Sequence, residues 1–256
     1  MIHYTYSIRN GKYQYGEVTP PAKPAVSKPD ANTMDRAEAR RAGKSKDEGM
    51  GQTSVIVGLT GQTGAGKSIV SNLLVNRGYK VLDADLVARQ VVMKGSKCLV
   101  DLALEFGIEI LESDGTLNRR KLGSIVFADK AKRKKLNQII FPYIKEEIMD
   151  QLRELCNAGV PVIFLDAPTL FESGTNAYCD KVVSVMAPRE LRKQRIIARD
   201  GLSELDADNR INSQLSDEYY TSHSDYIIDN SGDLSALRVG VLEMLDFLCI
   251  GRNGVV

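Results

Sequence analysis

Tryptophan is absent from this 256-residue chain, histidine occurs only at His3 and His223, and the four cysteines, Cys98, Cys156, Cys179 and Cys249, lie far apart. Two histidines leave little room for imidazole catalysis or a zinc site. Cysteines with no C-x-x-C pairing read as the reduced thiols of a cytoplasmic protein. No apolar run approaches the roughly 20 residues that a membrane-spanning helix needs. One-signed charge is also lacking: 34 Lys/Arg stand against 33 Asp/Glu, a formal net charge of +1. Such a balance creates no field that would recruit nucleic acid or a membrane surface, so neither is expected as a partner. With 43% hydrophobic and 26% charged residues the composition is that of a globular protein, able to bury a full core.

The first fifty residues stand apart. Tyr13 to Asp30 holds four of the eight prolines, and Ala31 to Gly51 is polar with no sustained apolar period. No apolar signal-peptide core is present, and acidic residues argue against a transit peptide. Residues 1–52 are therefore expected to be a disordered extension, with a partner-binding arm as the sharper alternative. Residues 53–250 are expected to form the folded domain.

What the chain does have is Val55 to Val70, VIVGLTGQTGAGKSIV. A β-branched run leads into Gly61-x-x-x-x-Gly66-Lys67-Ser68, and apolar residues at helical spacing follow at Ile69, Val70, Leu73 and Leu74. The pattern is a phosphate-binding loop between a buried strand and a helix N-terminus. Glycines let backbone N–H groups converge on an anion, and the helix start adds unpaired donors and a positive dipole end. Gly61, Gln62, Thr63, Gly64, Ala65, Gly66, Lys67, Ser68 and Ile69 are the expected nucleoside triphosphate contacts. Lys67 would reach the β- and γ-phosphates, and the Ser68 hydroxyl would ligate Mg²⁺.

The first helix is expected to run to about Arg77 and stop at Gly78, followed by a second strand, Tyr79 to Leu82, and then Asp83-Ala84-Asp85. Carboxylates at the carboxyl end of such a strand lie on the ligand edge of an α/β sheet. Asp85 either caps a helix starting at Leu86 or faces the γ-phosphate and takes a proton from an attacking hydroxyl. Arg89, one turn on, either holds the acceptor or pairs with Asp85. Helices are expected over Lys97–Phe106, Leu117–Phe127 and Lys130–Ile140, with Pro142 interrupting the last and opening another to about Asn157. Arg119, Arg120 and Lys121 are either a solvated face or an anion contact. Val160 to Leu165 is an apolar strand ending in Asp166, which either holds Mg²⁺ through water or is a strand-end turn residue. A fourth strand covers Lys181–Met186. Pro188 then opens a basic helix with Arg192, Arg195 and Arg199 on one stripe, suited to phosphate or else paired with Asp200 or Glu190. A polar helix from Glu204 to about Leu215 completes what reads as a hinged lid, residues 188–215. Tyr226–Ile228 makes a fifth strand, and Leu234–Leu248 a closing amphipathic helix.

Five strands separated by helices, with the phosphate loop on the first, imply an α/β three-layer P-loop fold with a parallel sheet. Several pieces go further: GLTGQTGAGKSIV, VLDADLVARQVV, DGTLNRRKLGSIVF, APTLFES, QRIIARD and DYIIDNSG, spread in order over about residues 54–248. Together they resemble the dephospho-CoA kinases. The resemblance implies transfer of the γ-phosphoryl group of ATP, with Mg²⁺, to the ribose 3′-hydroxyl of dephospho-CoA. It also implies strand order 2-3-1-4-5, a helical CoA-binding subdomain at about 86–157 and an arginine-bearing lid. By position, Asp85 resembles the catalytic base, Arg195 or Arg199 the lid arginine, and Asp85, Arg89, Leu170 and Glu172 the acceptor contacts; Asp166 and Ser68 serve the metal. A cytoplasmic monomer or weak homo-oligomer is expected. Phe141-Pro142 departs from the family's usual His-Pro, Thr169 from its Leu and Ile69 from its Thr. Other P-loop small-molecule kinases share the loop and lid. A switch or transport ATPase is disfavoured, since neither Asn-Lys-x-Asp nor Leu-Ser-Gly-Gly-Gln occurs.

Overall fold

The computed structural model describes residues 3–9, 12–18, 54–127 and 129–250. The chain forms two units, Met1–Glu38 and Ala39–Val256. In the first, β1 (His3–Arg9) pairs antiparallel with β2 (Lys12–Val18), His3 opposite Val18 and Arg9 opposite Lys12. A hairpin thus stands within the segment expected to be disordered. The signal for it is Asn10-Gly11 between runs with tyrosine at Tyr4, Tyr6, Tyr13 and Tyr15, a two-residue connection flanked by alternation. The remainder of residues 1–52 lies outside the described residues.

In the second unit, Val55, Ile56 and Val57 open β3 (Val55–Gly61), and four further strands join it in one parallel sheet. These are β4 (Lys80–Asp83), β5 (Val162–Asp166), β6 (Lys181–Met186) and β7 (Tyr226–Asp229). Their spatial order is β4-β5-β3-β6-β7, or 2-3-1-4-5 counted from β3, as the resemblance implied. Pairing brings Asp166 opposite both Leu59 and Asp83, and Gly61 opposite Val185. Two carboxylates therefore end neighbouring strands beside the one that enters the phosphate loop. That register sets the site.

Side chains alternate across the sheet, as the strand period of two requires. Val57, Leu59, Phe164, Val183 and Val185 face α1 (Lys67–Val75) and α9 (Leu234–Phe247) through Val70, Leu74, Leu237 and Val241. Ile163, Leu165 and Val182 face the other way, onto Val87 of α2 (Ala84–Gln90), Ile148 and Leu152 of α5 (Lys130–Asn157) and Tyr220 of α8 (Asp217–His223). Three layers result. A separate core, Cys98, Leu102, Ile110, Leu122 and Val126, lies where α3 (Lys97–Phe106), α4 (Arg119–Phe127) and the first half of α5 meet. This is the helical block expected between the second and third strands of the sheet. Between β6 and β7 come α6 (Arg189–Asp200) and α7 (Glu204–Asn212), joined by a small core of Ile196, Ala207 and Ile211. No described helix is long and apolar enough to cross a membrane.

Two helices of this unit also differ from expectation. Pro142 does not divide a helix; α5 runs through it for 28 residues. An interior proline costs one backbone hydrogen bond and about 3 kcal/mol. Packing on both sides of it offsets that. Ile139, Ile140 and Tyr143 lie against the insertion core, and Ile144, Ile148 and Leu152 against the sheet core. The second lid helix also ends earlier than expected, at Asn212. A further helix, α8, begins after Ser216, whose hydroxyl accepts from the Tyr219 N–H at 3.2 Å.

Leu102 is 0% exposed at the centre of the insertion core. Truncation there leaves a void that neighbouring helices cannot close, so Leu102→Ala is expected to cost about 2–5 kcal/mol in a denaturant titration. A smaller loss would mean that the block has no packed core of its own.

Candidate active site

The loop after β3 turns on two glycines in the left-handed region, Gly64 (φ 76°) and Gly66 (φ 95°). Both also lack room for a side chain. A Cβ on Gly64 would lie 2.7 Å from the Arg192 carbonyl oxygen, and one on Gly66 would collide with the Asn230 amide. Asn230, 4% exposed just beyond β7, donates from Nδ2 to the Ala65 carbonyl at 2.8 Å and so props the loop from below. Helix α1 starts directly after Gly66, presenting Lys67, Ser68 and Ile69 in its first turn.

Lys67 forms an ion pair with Asp166, and the Ser71 hydroxyl donates to the other oxygen of the same carboxylate. Both charges are largely buried, so each depends on the other for solvation. At the adjacent strand end, Asp83 caps α2: its carboxylate accepts from the N–H groups of Asp85 (2.8 Å) and Leu86 (3.2 Å). The cap that was one of the two readings of Asp85 is made by Asp83, which leaves the Asp85 carboxyl unused by the helix. The Asp85 side chain is open to solvent, yet protein atoms crowd its carboxyl. Desolvation raises its pKa above the ordinary 3.8. Lys67 is the largest opposing influence, Asp83 and Asp166 push upward, and Arg89 lowers it. Asp85, Lys67, Asp166 and Arg89 thus share one electrostatic neighbourhood.

The arginine stripe separates into three environments. Arg192 is 2% exposed, donating from Nε to the Ala187 carbonyl at 3.1 Å and reaching Asp217 at 3.5 Å. It is a buried strut. Arg195 donates to the carbonyls of Gly64 (3.4 Å) and Asn230 (3.1 Å), against the phosphate loop itself. Arg199 is exposed and held by Asp200 through two hydrogen bonds of 2.7 and 2.8 Å; Arg210 shares that carboxylate. The pairing alternative holds for Arg199.

Leu170, expected as an acceptor contact, is 0% exposed and packs in the sheet core, so tightly that a Cβ on Gly58 would meet it at 2.8 Å. It offers no surface to a ligand, and that expectation is corrected. Glu172, two residues on, is exposed by area, but crowding by protein atoms raises its carboxyl pKa. Sequence reasoning passed over Asp83 as a cap, and also Ser71, Asn230 and Asp217. Aspartate and asparagine side chains at strand and helix ends were the available signal for three of them; Ser71, in the second turn of α1, carried none.

A carboxyl in the first turn of α2, at the same sheet edge as the phosphate loop and within electrostatic reach of its lysine, suits proton abstraction from a hydroxyl next to a triphosphate. The sequence profile of the family described as dephospho-CoA kinase matches residues 55–236. The chain belongs to that family. It is 40% identical to the dephospho-CoA kinase of Listeria innocua over 197 residues, 77% of this chain and 97% of that one. The dephospho-CoA kinase of Oryza sativa subsp. japonica is likewise 40% identical over 190 residues, 74% and 83% of the two chains. Among solved structures, a dephospho-CoA kinase from Campylobacter jejuni superposes with a TM-score of 0.61 at 27% identity, covering 77% of this chain and 98% of that one.

The neighbourhood of Asp85 makes opposite-signed predictions. By carboxyl ¹³C NMR, Asp85 is expected to titrate above 3.8. Asp83→Asn keeps a capping oxygen but removes a like charge, so the midpoint falls; Lys67→Met removes the favourable cation, so it rises. Equal midpoints in all three proteins would separate Asp85 from both groups.

Proposed function

We propose that the protein transfers the γ-phosphoryl group of ATP to the ribose 3′-hydroxyl of dephospho-CoA, yielding CoA and ADP, the last step of coenzyme A synthesis. The observation that supports this best is the placement of Asp85 in the first turn of α2: Asp83 makes the helix cap, and the Asp85 carboxyl lies in the electrostatic neighbourhood of Lys67.

Loop amides among residues 61–69, apart from that of Thr63, which donates to Gln214, hold the triphosphate together with the start of α1. Lys67 exchanges the Asp166 carboxylate for β- and γ-phosphate oxygens. Ser68 and Asp166 offer one hydroxyl and one carboxylate, the hard oxygen donors that suit Mg²⁺, an ion that keeps much of its water and completes its shell with phosphate. That ion, when bound, neutralises charge on the β- and γ-phosphates. Among the described residues there is no cluster of three or more His, Cys, Asp or Glu that would favour a different, all-protein metal site.

Asp85 accepts the proton of the 3′-hydroxyl. Its pKa, raised above 3.8 chiefly by desolvation, makes it a stronger base than an ordinary aspartate. Arg89 and Glu172 orient the acceptor, whose remaining length lies along the helical block of residues 86–157. The lid, 188–215, excludes water so that phosphate passes to ribose and not to solvent. Of its arginines, Arg195 carries the charge to the transferring group because it already touches the loop at Gly64, whereas Arg199 is committed to Asp200.

Incubation with ATP, Mg²⁺ and dephospho-CoA is expected to give a product heavier by one phosphate, read by mass spectrometry; preferential phosphorylation of another acceptor would overturn the assignment. Asp85→Asn should lower kcat by about 10²-fold or more with ATP affinity little changed. Near-normal turnover from that variant removes Asp85 from the base role.

A further inference from the structure

Two contacts to the phosphate loop come from outside the sheet. The Thr63 N–H donates to Gln214 Oε1 at 2.8 Å, and Gln62 Nε2 donates to Asp217 Oδ1 at 2.6 Å. Both partners flank the short connection between α7 and α8, about 150 residues along the chain from the loop. Gln62 is 4% exposed, and its own Oε1 has no partner, so the bond to Asp217 is the one that orients this buried amide. Asp217 also receives the buried Arg192 of the first lid helix at 3.5 Å. The carboxyl end of the lid and the start of α8 therefore grip the two residues that precede Gly64, the point where the loop turns left-handed.

We propose that Gln214 and Asp217 are positioning residues that hold the phosphate loop in its triphosphate-accepting shape. The proposal rests on ATP being the donor, as set out above. An anion site made of backbone amides works only if those amides converge before the ligand arrives. Glycines supply the needed conformations but no preference among them, because glycine gives up more conformational freedom on ordering than any other residue. Gln214 engages the amide of Thr63, and Asp217 fixes Gln62. With Asn230 holding Ala65, residues 62, 63 and 65 are each held by a side chain from one of two distant segments. Neither residue touches the reacting atoms.

The test separates loop positioning from general stability. Gln214→Met keeps length and volume while removing the acceptor; Asp217→Leu removes one, and Asp217→Asn retains an oxygen for Gln62. Binding of the non-hydrolysable analogue AMP-PNP with Mg²⁺ is measured by calorimetry, alongside steady-state constants and thermal midpoints. The expected result is a rise of about five- to tenfold in the AMP-PNP Kd and the ATP KM for Gln214→Met and Asp217→Leu, the effect of one lost hydrogen bond. The KM for dephospho-CoA and kcat at saturating ATP stay near wild type, and Asp217→Asn restores most of the affinity. In a cycle with Gln62→Met, the double variant Gln62→Met/Asp217→Leu should be no weaker than either single one. Unchanged Kd in Gln214→Met, or both KM values and the thermal midpoint moving together, would overturn the proposal. Should Asp217→Leu not fold, Gln214→Met decides alone. Because AMP-PNP binding needs no acceptor, a wild-type protein that binds it without phosphorylating dephospho-CoA would refute the proposed reaction and still leave the positioning roles measurable.

Discussion

One lysine among three carboxylates governs this site. Lys67 is paired to Asp166 in a largely buried contact, with Asp83 and Asp85 completing the acidic surround. A buried ammonium without a partner would cost several kcal/mol, and so would a buried carboxylate, so each holds the other in place until a phosphate competes for the lysine. The same arrangement acts on Asp85. Crowding and two neighbouring carboxylates raise its proton affinity, and Lys67 keeps the rise in check.

The sheet exists, in functional terms, to bring those groups together. Asp83 and Asp166 are 83 residues apart in sequence, yet they are register partners on β4 and β5. Parallel pairing forces the strands' carboxyl ends to one edge, and a connection long enough to return the chain carries the whole helical block. That block then needs a core of its own, which Leu102, Ile110 and Leu122 supply. Helix α5 ties it to the sheet by packing on both cores at once, and this explains why Pro142 is tolerated within a single helix.

The loop itself is supported from two flanks. Asn230 holds Ala65 from the end of β7, while Gln214 at the end of the lid holds Thr63 and Asp217 at the start of α8 holds Gln62. Arg195 lies across Gly64 and Asn230. Lid and phosphate loop are thus parts of one hydrogen-bonded assembly, and the three arginines on a single helix face serve three different ends. Arg192 braces, Arg195 faces the loop, and Arg199 pairs with Asp200.

The sequence by itself determined the elements whose signals are local. A β-branched run, glycines at 61, 64 and 66 and Lys67-Ser68 specify strand, loop and helix within sixteen residues, because each requirement is met by neighbours in the chain. Periodicity likewise located the five strands of the sheet and most helices, and the DAD triplet marked the right strand end. Tertiary structure decided the rest. Which aspartate of the triplet caps α2 depends on where β4 ends against β5, and whether Pro142 breaks a helix depends on the two cores that flank it. Leu170 is core and not ligand surface because its side chain packs over Gly58 on one face of the sheet. The partners of Gln62 and Thr63 lie about 150 residues away. A side chain's hydrogen-bonding capacity is written in its type; the partner that uses it is chosen only when distant segments pack, since spatial proximity leaves no mark on a single sequence.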